Sequence, residues 1–204
     1  MSGPARQRIL DAALGLSRER GIGRVTTKEI ALAAGAAEGS LFKNFGDKMG
    51  LLTELLSQDL PENRAWRAVP AEAPPGHGDL AAALVLFMDR AIDFYTAALP
   101  LIAGSFADRE LLRRHQERNR HRGTGPQLAL QSCADYLHGW QESGHLDPAA
   151  DPYAIAVALC GGALMYAWTE QLAGAGQVRG GRGGLIHSLI NSAAGPYMTK
   201  AAPS

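Results

Sequence analysis

Apolar residues recur along this chain at helical spacing almost from end to end. Over residues 5–20, Ile9, Ala12, Ala13 and Leu16 fall at i, i+3, i+4 and i+7, one face of a helix, and Gly21 stands where a C-cap belongs. Thr26-Thr27-Lys28-Glu29 reads as a capping box, in which the Thr26 hydroxyl accepts from the Glu29 amide and the Glu29 carboxylate reaches back. The helix it opens is short, because Gly35 closely follows Ile30, Ala31 and Ala34. A third short helix is expected over 38–45. Asp47 is the natural N-cap of a fourth, 48–60, which Pro61 ends.

Further on, Pro70, Pro74, Pro75, Gly76 and Gly78 make residues 67–78 a loop. Long helices are expected at 79–98 and 100–120, the second broken near Phe106-Ala107-Asp108. Gly123-Thr124-Gly125-Pro126 is the next break, with Pro126 opening a helix to about 143, and Gly144 to Pro148 form a turn. Asp151-Pro152 supplies an N-cap and an N1 proline for a helix to about 173. Gly174 to Gly184 is a glycine-rich connector, and a last helix covers about 185–199. No segment has strand periodicity. The expected fold class is all-α, with about nine helices.

Composition narrows the function. The chain has 204 residues, 46% hydrophobic and 20% charged, which is enough to build a core. Its formal net charge is zero, which argues against coating nucleic acid by bulk charge. The first 50 residues nevertheless carry eight basic against five acidic side chains, a mildly basic head on a mildly acidic body. The longest uncharged apolar run, Ala154 to Trp168, is shorter than the ~20 residues of a membrane span, and no signal-like apolar stretch opens the chain. A cytoplasmic protein without a membrane partner is expected. Cys133 and Cys160, with no metal spacing around them, read as buried thiols.

Residues 26–48 carry the functional signal. A helix-turn-helix needs two short helices, a tight small-residue turn and apolar anchors for the second helix. Ile30, Ala31 and Ala34 point inward, Gly35-Ala36-Ala37 makes the turn, and Leu41 and Phe45 anchor at i and i+4. Glu38, Gly39, Ser40, Phe42, Lys43 and Asn44 are left to face a groove. Lys48, on the first turn of the next helix, is placed to meet a phosphate. Thr27 and Lys28, at the start of the preceding helix, complete the expected DNA-binding set.

The run Arg8-Ile-Leu-Asp-Ala-Ala-Leu14, Glu19-Arg-Gly21, Thr26-Thr-Lys-Glu-Ile-Ala31, Ala33-Ala-Gly35, Gly39-Ser-Leu-Phe42, Phe45 and Lys48-Met-Gly-Leu-Leu52 resembles the tetracycline-repressor (TetR/AcrR) family. The resemblance covers the first quarter of the chain. It implies a three-helix DNA-binding head, residues 1–47, and a helical ligand-binding and dimerisation body, residues 48–204. It also implies a repressor that leaves a palindromic operator in double-stranded DNA when a small, largely apolar effector binds the body. Ala37 stands where the family usually has a capping Ser or Thr, Glu38 where a basic residue is common, and Phe42 where Tyr is usual. Asn44 replaces a frequent His, and Ser17 a Phe of the head's core.

The resemblance implies a cavity among the body helices, and the residues expected to line it are Phe87, Tyr95, Phe106, Tyr136, Trp140, Met165, Tyr166 and Trp168. A homodimer is expected through the helices at about 151–173 and 185–199. Ala158 and Gly162 there have small-xxx-small spacing, and Leu185, Ile186, Leu189 and Ile190 form an apolar stripe. The basic run Arg113 to Arg122 reads as a solvated helix end, and Arg179 to Gly184 as a flexible linker. There is no paired-carboxylate, triad or cofactor-loop signature, and the six histidines lack metal spacing, so no enzyme, cofactor or metal is expected.

Overall fold

Caps and buried faces set the helix boundaries in the structure, a computed structural model that describes residues 3–106, 109–123 and 125–199. Helix α1 (Pro4–Arg20) starts on a proline, and a 3-10 turn at Ile22–Arg24 leads to α2 (Thr27–Ala33). The capping box is formed: Glu29 N–H donates to Thr26 Oγ1 at 3.2 Å, and Thr26 N–H to Glu29 Oε2 at 2.8 Å. Next come α3 (Glu38–Phe45) and α4 (Lys48–Glu54), which runs into a π-turn at Leu55–Asp59. Then follow α5 (Pro61–Glu72), α6 (Leu80–Phe106), α7 (Arg109–Arg122), α8 (Pro126–Glu142), α9 (Pro152–Ala173) and α10 (Gly181–Ala193). Among the described residues there is no strand, only an isolated bridge between Leu146 and Met198.

Three boundaries differ from those the sequence predicts. Residues 67–72, expected in a loop, belong to α5, which continues through Pro70. An interior proline costs ~3 kcal/mol, but α5 buries Trp66 and Val69, and each such side chain stabilises by roughly 1.5–3 kcal/mol. Likewise α6 passes through Pro100, with Ala98, Leu99 and Leu101 buried around it, where two helices were expected. The last helix begins within the glycine-rich linker, at Gly181, and ends at Ala193. Arg182 holds that start in place: its Nε donates to Asp89 Oδ1 at 2.7 Å and its Nη1 to Asp93 Oδ1 at 2.8 Å. Residues 107 and 108, where the break near Phe106 was expected, lie outside the described residues.

The chain divides into two compact units that do not follow chain order. One comprises residues 1–61 and 97–125, the other residues 62–96 and 126–204. The core of the first is built from Ile9, Leu10, Ala13, Ile30, Leu41, Phe45, Met49 and Leu52 with their neighbours. Ser17 is buried in it with its hydroxyl satisfied, donating to the Ala13 carbonyl at 2.5 Å. The second core gathers Trp66, Leu84, Phe87, Met88, Ile92, Leu137, Trp140, Ile155, Leu159 and Ile186. Of the described helices, α9 is long and apolar enough to cross a membrane by length and composition.

Candidate nucleic-acid interface and effector site

The turn between α2 and α3 rests on Gly35, whose φ of 58° lies in the left-handed region that suits glycine. Ala36 N–H then donates back to Ala31 at 2.9 Å, and Arg8 Nε closes the end of α2 by donating to the Ala34 carbonyl at 3.1 Å. Leu41 and Phe45 are buried, which fixes the rotation of α3. Arg6 lies over the Phe45 ring, 5.3 Å from its centroid, and pairs with Glu54.

The opposite face of α3 is open. Gly39, Phe42, Lys43 and Asn44 are exposed, Phe42 to 46%, and Glu38 and Ser40 are half-buried. The Asn44 amide donates to the Ser40 carbonyl at 2.7 Å, so in this state it is turned onto its own helix. Ala37 has N-cap geometry, with φ −71° and ψ 144°, but offers no side-chain cap. Thr27 Oγ1 donates to Glu38 Oε1 at 2.6 Å, which ties α2 to the start of α3 and brings two of the expected DNA-binding residues together. Lys28 is exposed on α2.

Lys48 does not project outward in the way its sequence position suggests. Its ammonium donates to the Val25 carbonyl at 2.6 Å, and loss of water around it lowers its pKa, with Glu29 opposing the shift. One residue earlier, Asp47 Oδ1 accepts from Gly50 N–H at 2.7 Å. Arg118 of α7 grips the same carboxylate at 2.9 and 2.8 Å and donates to the Phe45 carbonyl at 3.1 Å. There is no room at Gly50 for a side chain, because a Cβ would stand 1.8 Å from the Phe45 oxygen and 2.0 Å from Arg118 Nη1. Sequence reasoning missed Arg118, since nothing in a run of five arginines marks one as paired with the head.

In the other unit, Phe87, Tyr136 and Trp140 are buried, Tyr95 and Tyr166 are partly buried against the same core, and Phe87 stacks on Tyr136 at 6.0 Å. The Tyr136 hydroxyl donates to the Ala73 carbonyl at 2.6 Å, and burial raises its pKa. Burial, with Cys160 and Cys133 nearby, pushes the Tyr95 phenol far above its ordinary value. A hydrogen bond with Cys160, and burial, raise the Cys133 thiol as well, so it is not a ready thiolate. Two further aromatic residues, Trp66 and Phe94, complete this wall. Trp66 lies 5.4 Å from Phe87, 5.3 Å from Phe94 and 5.6 Å from Tyr95. No sequence signal marks Trp66, which immediately precedes the proline- and glycine-rich stretch 67–78.

Met165 and Trp168 do not join this cluster; they are 61% and 47% exposed. The buried face of α9 is Ile155, Ala156, Leu159, Cys160, Ala163 and Ala167, and residues 165 and 168 fall on the other side. The Phe106 side chain lies outside the described ones. Gly162 is likewise occupied within the chain, since a Cβ there would meet Leu189 Cδ1 at 2.2 Å. No group of three or more His, Cys, Asp or Glu suited to a metal occurs among the described residues.

Comparison with known proteins follows this division. Residues 9–55 match the family model for bacterial regulatory proteins of the tetR family. The HTH-type transcriptional regulator YvkB of Bacillus subtilis is 49% identical over 55 residues, 27% of this chain and 29% of that relative. The match therefore spans under a third of the relative's length. A tetR-family transcriptional regulator of Mesorhizobium loti superposes with a TM-score of 0.70 at 20% identity, covering 95% of this chain and 100% of that one. The regulator FadR of Bacillus subtilis, solved with stearoyl-CoA, superposes with a TM-score of 0.63 at 16% identity, covering 92% and 97%. At these identities the likeness is one of fold.

Proposed function

We propose that this chain, whose residues 9–55 match the tetR family of bacterial regulatory proteins, is a cytoplasmic, ligand-responsive transcriptional repressor. It acts as a homodimer on a palindromic operator, with residues 1–47 as the DNA-binding domain and residues 48–204 as the effector and dimerisation domain. The observation that carries this reading is α3, whose apolar side is locked into the core while Gly39, Phe42, Lys43 and Asn44 stand free on the other. Such a helix fits the major groove with its outer side chains against base edges. Ser40 and Asn44 read sequence; Lys28, Lys43 and Lys48 contact phosphates, Lys48 with the ammonium protons that Val25 leaves unused.

The aromatic core of the body is the effector site, and FadR, a protein of similar fold solved with stearoyl-CoA, supports a ligand in a body of this fold. The effector favours a separation of the two heads that no longer fits the operator, a population shift driven by differential affinity. Selection of bound oligonucleotides from a random double-stranded pool tests the reading. A palindrome with half-sites one helical turn apart is the expected product. A folded protein, stripped of ligand by unfolding and refolding, that enriches no sequence overturns it.

A further inference from the structure

We propose that the effector site holds an anion-binding subsite for a carboxylate on an apolar ring or chain, with Arg90 as its anchor and Trp66 as the flanking donor. This rests on the reading of the body as an effector domain. Arg90 lies three residues after Phe87 and four before Phe94, the two α6 rings against which Trp66 packs at 5.4 and 5.3 Å. On a helix these positions share a face, so the Arg90 stem rises beside the aromatic wall. Its Nε is buried without a hydrogen-bond partner among the described residues, and so is the Trp66 indole Nε1. Tyr95, partly buried, packs 5.6 Å from Trp66 and closes the same wall.

A buried donor without an acceptor is destabilising. Folded proteins keep few of them, and two beside one ring cluster point to something that arrives later. The neighbouring acids of α6 do not supply the missing partner, because Asp89 and Asp93 are both taken by Arg182. Arg90 and Trp66 offer donors only and Arg90 is permanently cationic, so the complementary ligand group accepts and carries negative charge. A planar carboxylate meets a guanidinium edge and an indole N–H in that way. The Trp66, Phe87 and Phe94 rings favour an apolar body attached to it.

The test uses the full chain, bound to the operator found by selection, with 2-naphthoate and decanoate against 2-naphthamide and decanamide. Both acids raise the melting temperature and release the operator, and they bind about tenfold to a hundredfold more tightly than their amides. Arg90→Gln abolishes that preference, and Arg90→Lys, which keeps the charge, retains most of it. Trp66→Phe weakens both acids. Equal binding of acid and amide, or a preference that survives in Arg90→Gln, overturns the subsite. If amides release the operator as well as acids do, the effector-responsive reading stands and the carboxylate site falls. If the operator is bound and no probe binds, the site also falls. If acids bind with the expected preference but no operator is bound or released, the site stands and the regulatory reading falls.

Discussion

Single residues of the head carry effects that separate its folding from its DNA contact. Glu29 accepts from the Thr26 amide and hydroxyl and pairs with Arg20, and the Thr26 bonds, with Arg20 in support, hold its pKa below the ordinary value. A carboxylate whose folded pKa is depressed stabilises the fold above its unfolded pKa and loses that contribution as pH falls through the folded one. Glu29→Gln therefore lowers the melting temperature at neutral pH, and the gap to wild type closes as pH falls below the ordinary carboxylate range; a gap that is constant with pH contradicts this. Ala37 already has extended N-cap geometry. Ala37→Ser therefore adds an acceptor for the free amides of α3 and raises stability by about 1 kcal/mol, measured by urea unfolding. Lys48→Ala, by contrast, removes a cation and not a base contact. Affinity falls for all DNA sequences alike, and the slope of log K against log salt shrinks by about 1; titrations at several salt concentrations check it.

At the scale of elements, the head was legible because its signals are local. The capping box, the Asp47 cap, the Asp151-Pro152 start and the i, i+4 pair Leu41 and Phe45 each act within one turn, and all are formed. What was not legible depends on partners far away in sequence. Pro70 and Pro100 read as breaks because the burial that offsets them involves residues elsewhere in the fold. The same holds for the Arg118–Asp47 pair, 71 residues apart, which joins α7 to the start of α4. With Arg118 and Asp47 side chains only 18% and 34% exposed, this bidentate contact is worth more than a surface pair. Arg118→Ala destabilises by roughly 1–3 kcal/mol, while Asp47 continues to cap Gly50. Gly50→Ala is more damaging, because its methyl meets the Phe45 carbonyl, which cannot rotate away as a side chain can. Urea unfolding of both variants gives the order; a Gly50→Ala protein as stable as wild type contradicts the close approach.

At the scale of the whole molecule, the distribution of apolar surface bears on the proposed dimer. Tyr153, Val157, Leu164, Met165, Trp168 and Leu172 are all between 39% and 70% exposed along the outward side of α9. Soluble chains rarely leave so continuous a stripe uncovered. In α10 the expected stripe is largely spent inside the protomer, since Ile186 and Ile190 are buried and Leu189 fills the space at Gly162. In the proposed dimer most of the apolar contact therefore falls to α9, with Trp168, which does not join the aromatic core, as the largest ring. Because Trp168 already faces solvent in the protomer, Trp168→Glu costs the isolated chain little. In a symmetric interface, however, it sets two carboxylates within an apolar patch. The expected outcome is an unchanged helical spectrum, a monomer by sedimentation, and loss of tight binding to a full palindrome with residual binding to half-sites. A Trp168→Glu protein that remains a dimer shows that the stripe is covered by something other than a second copy.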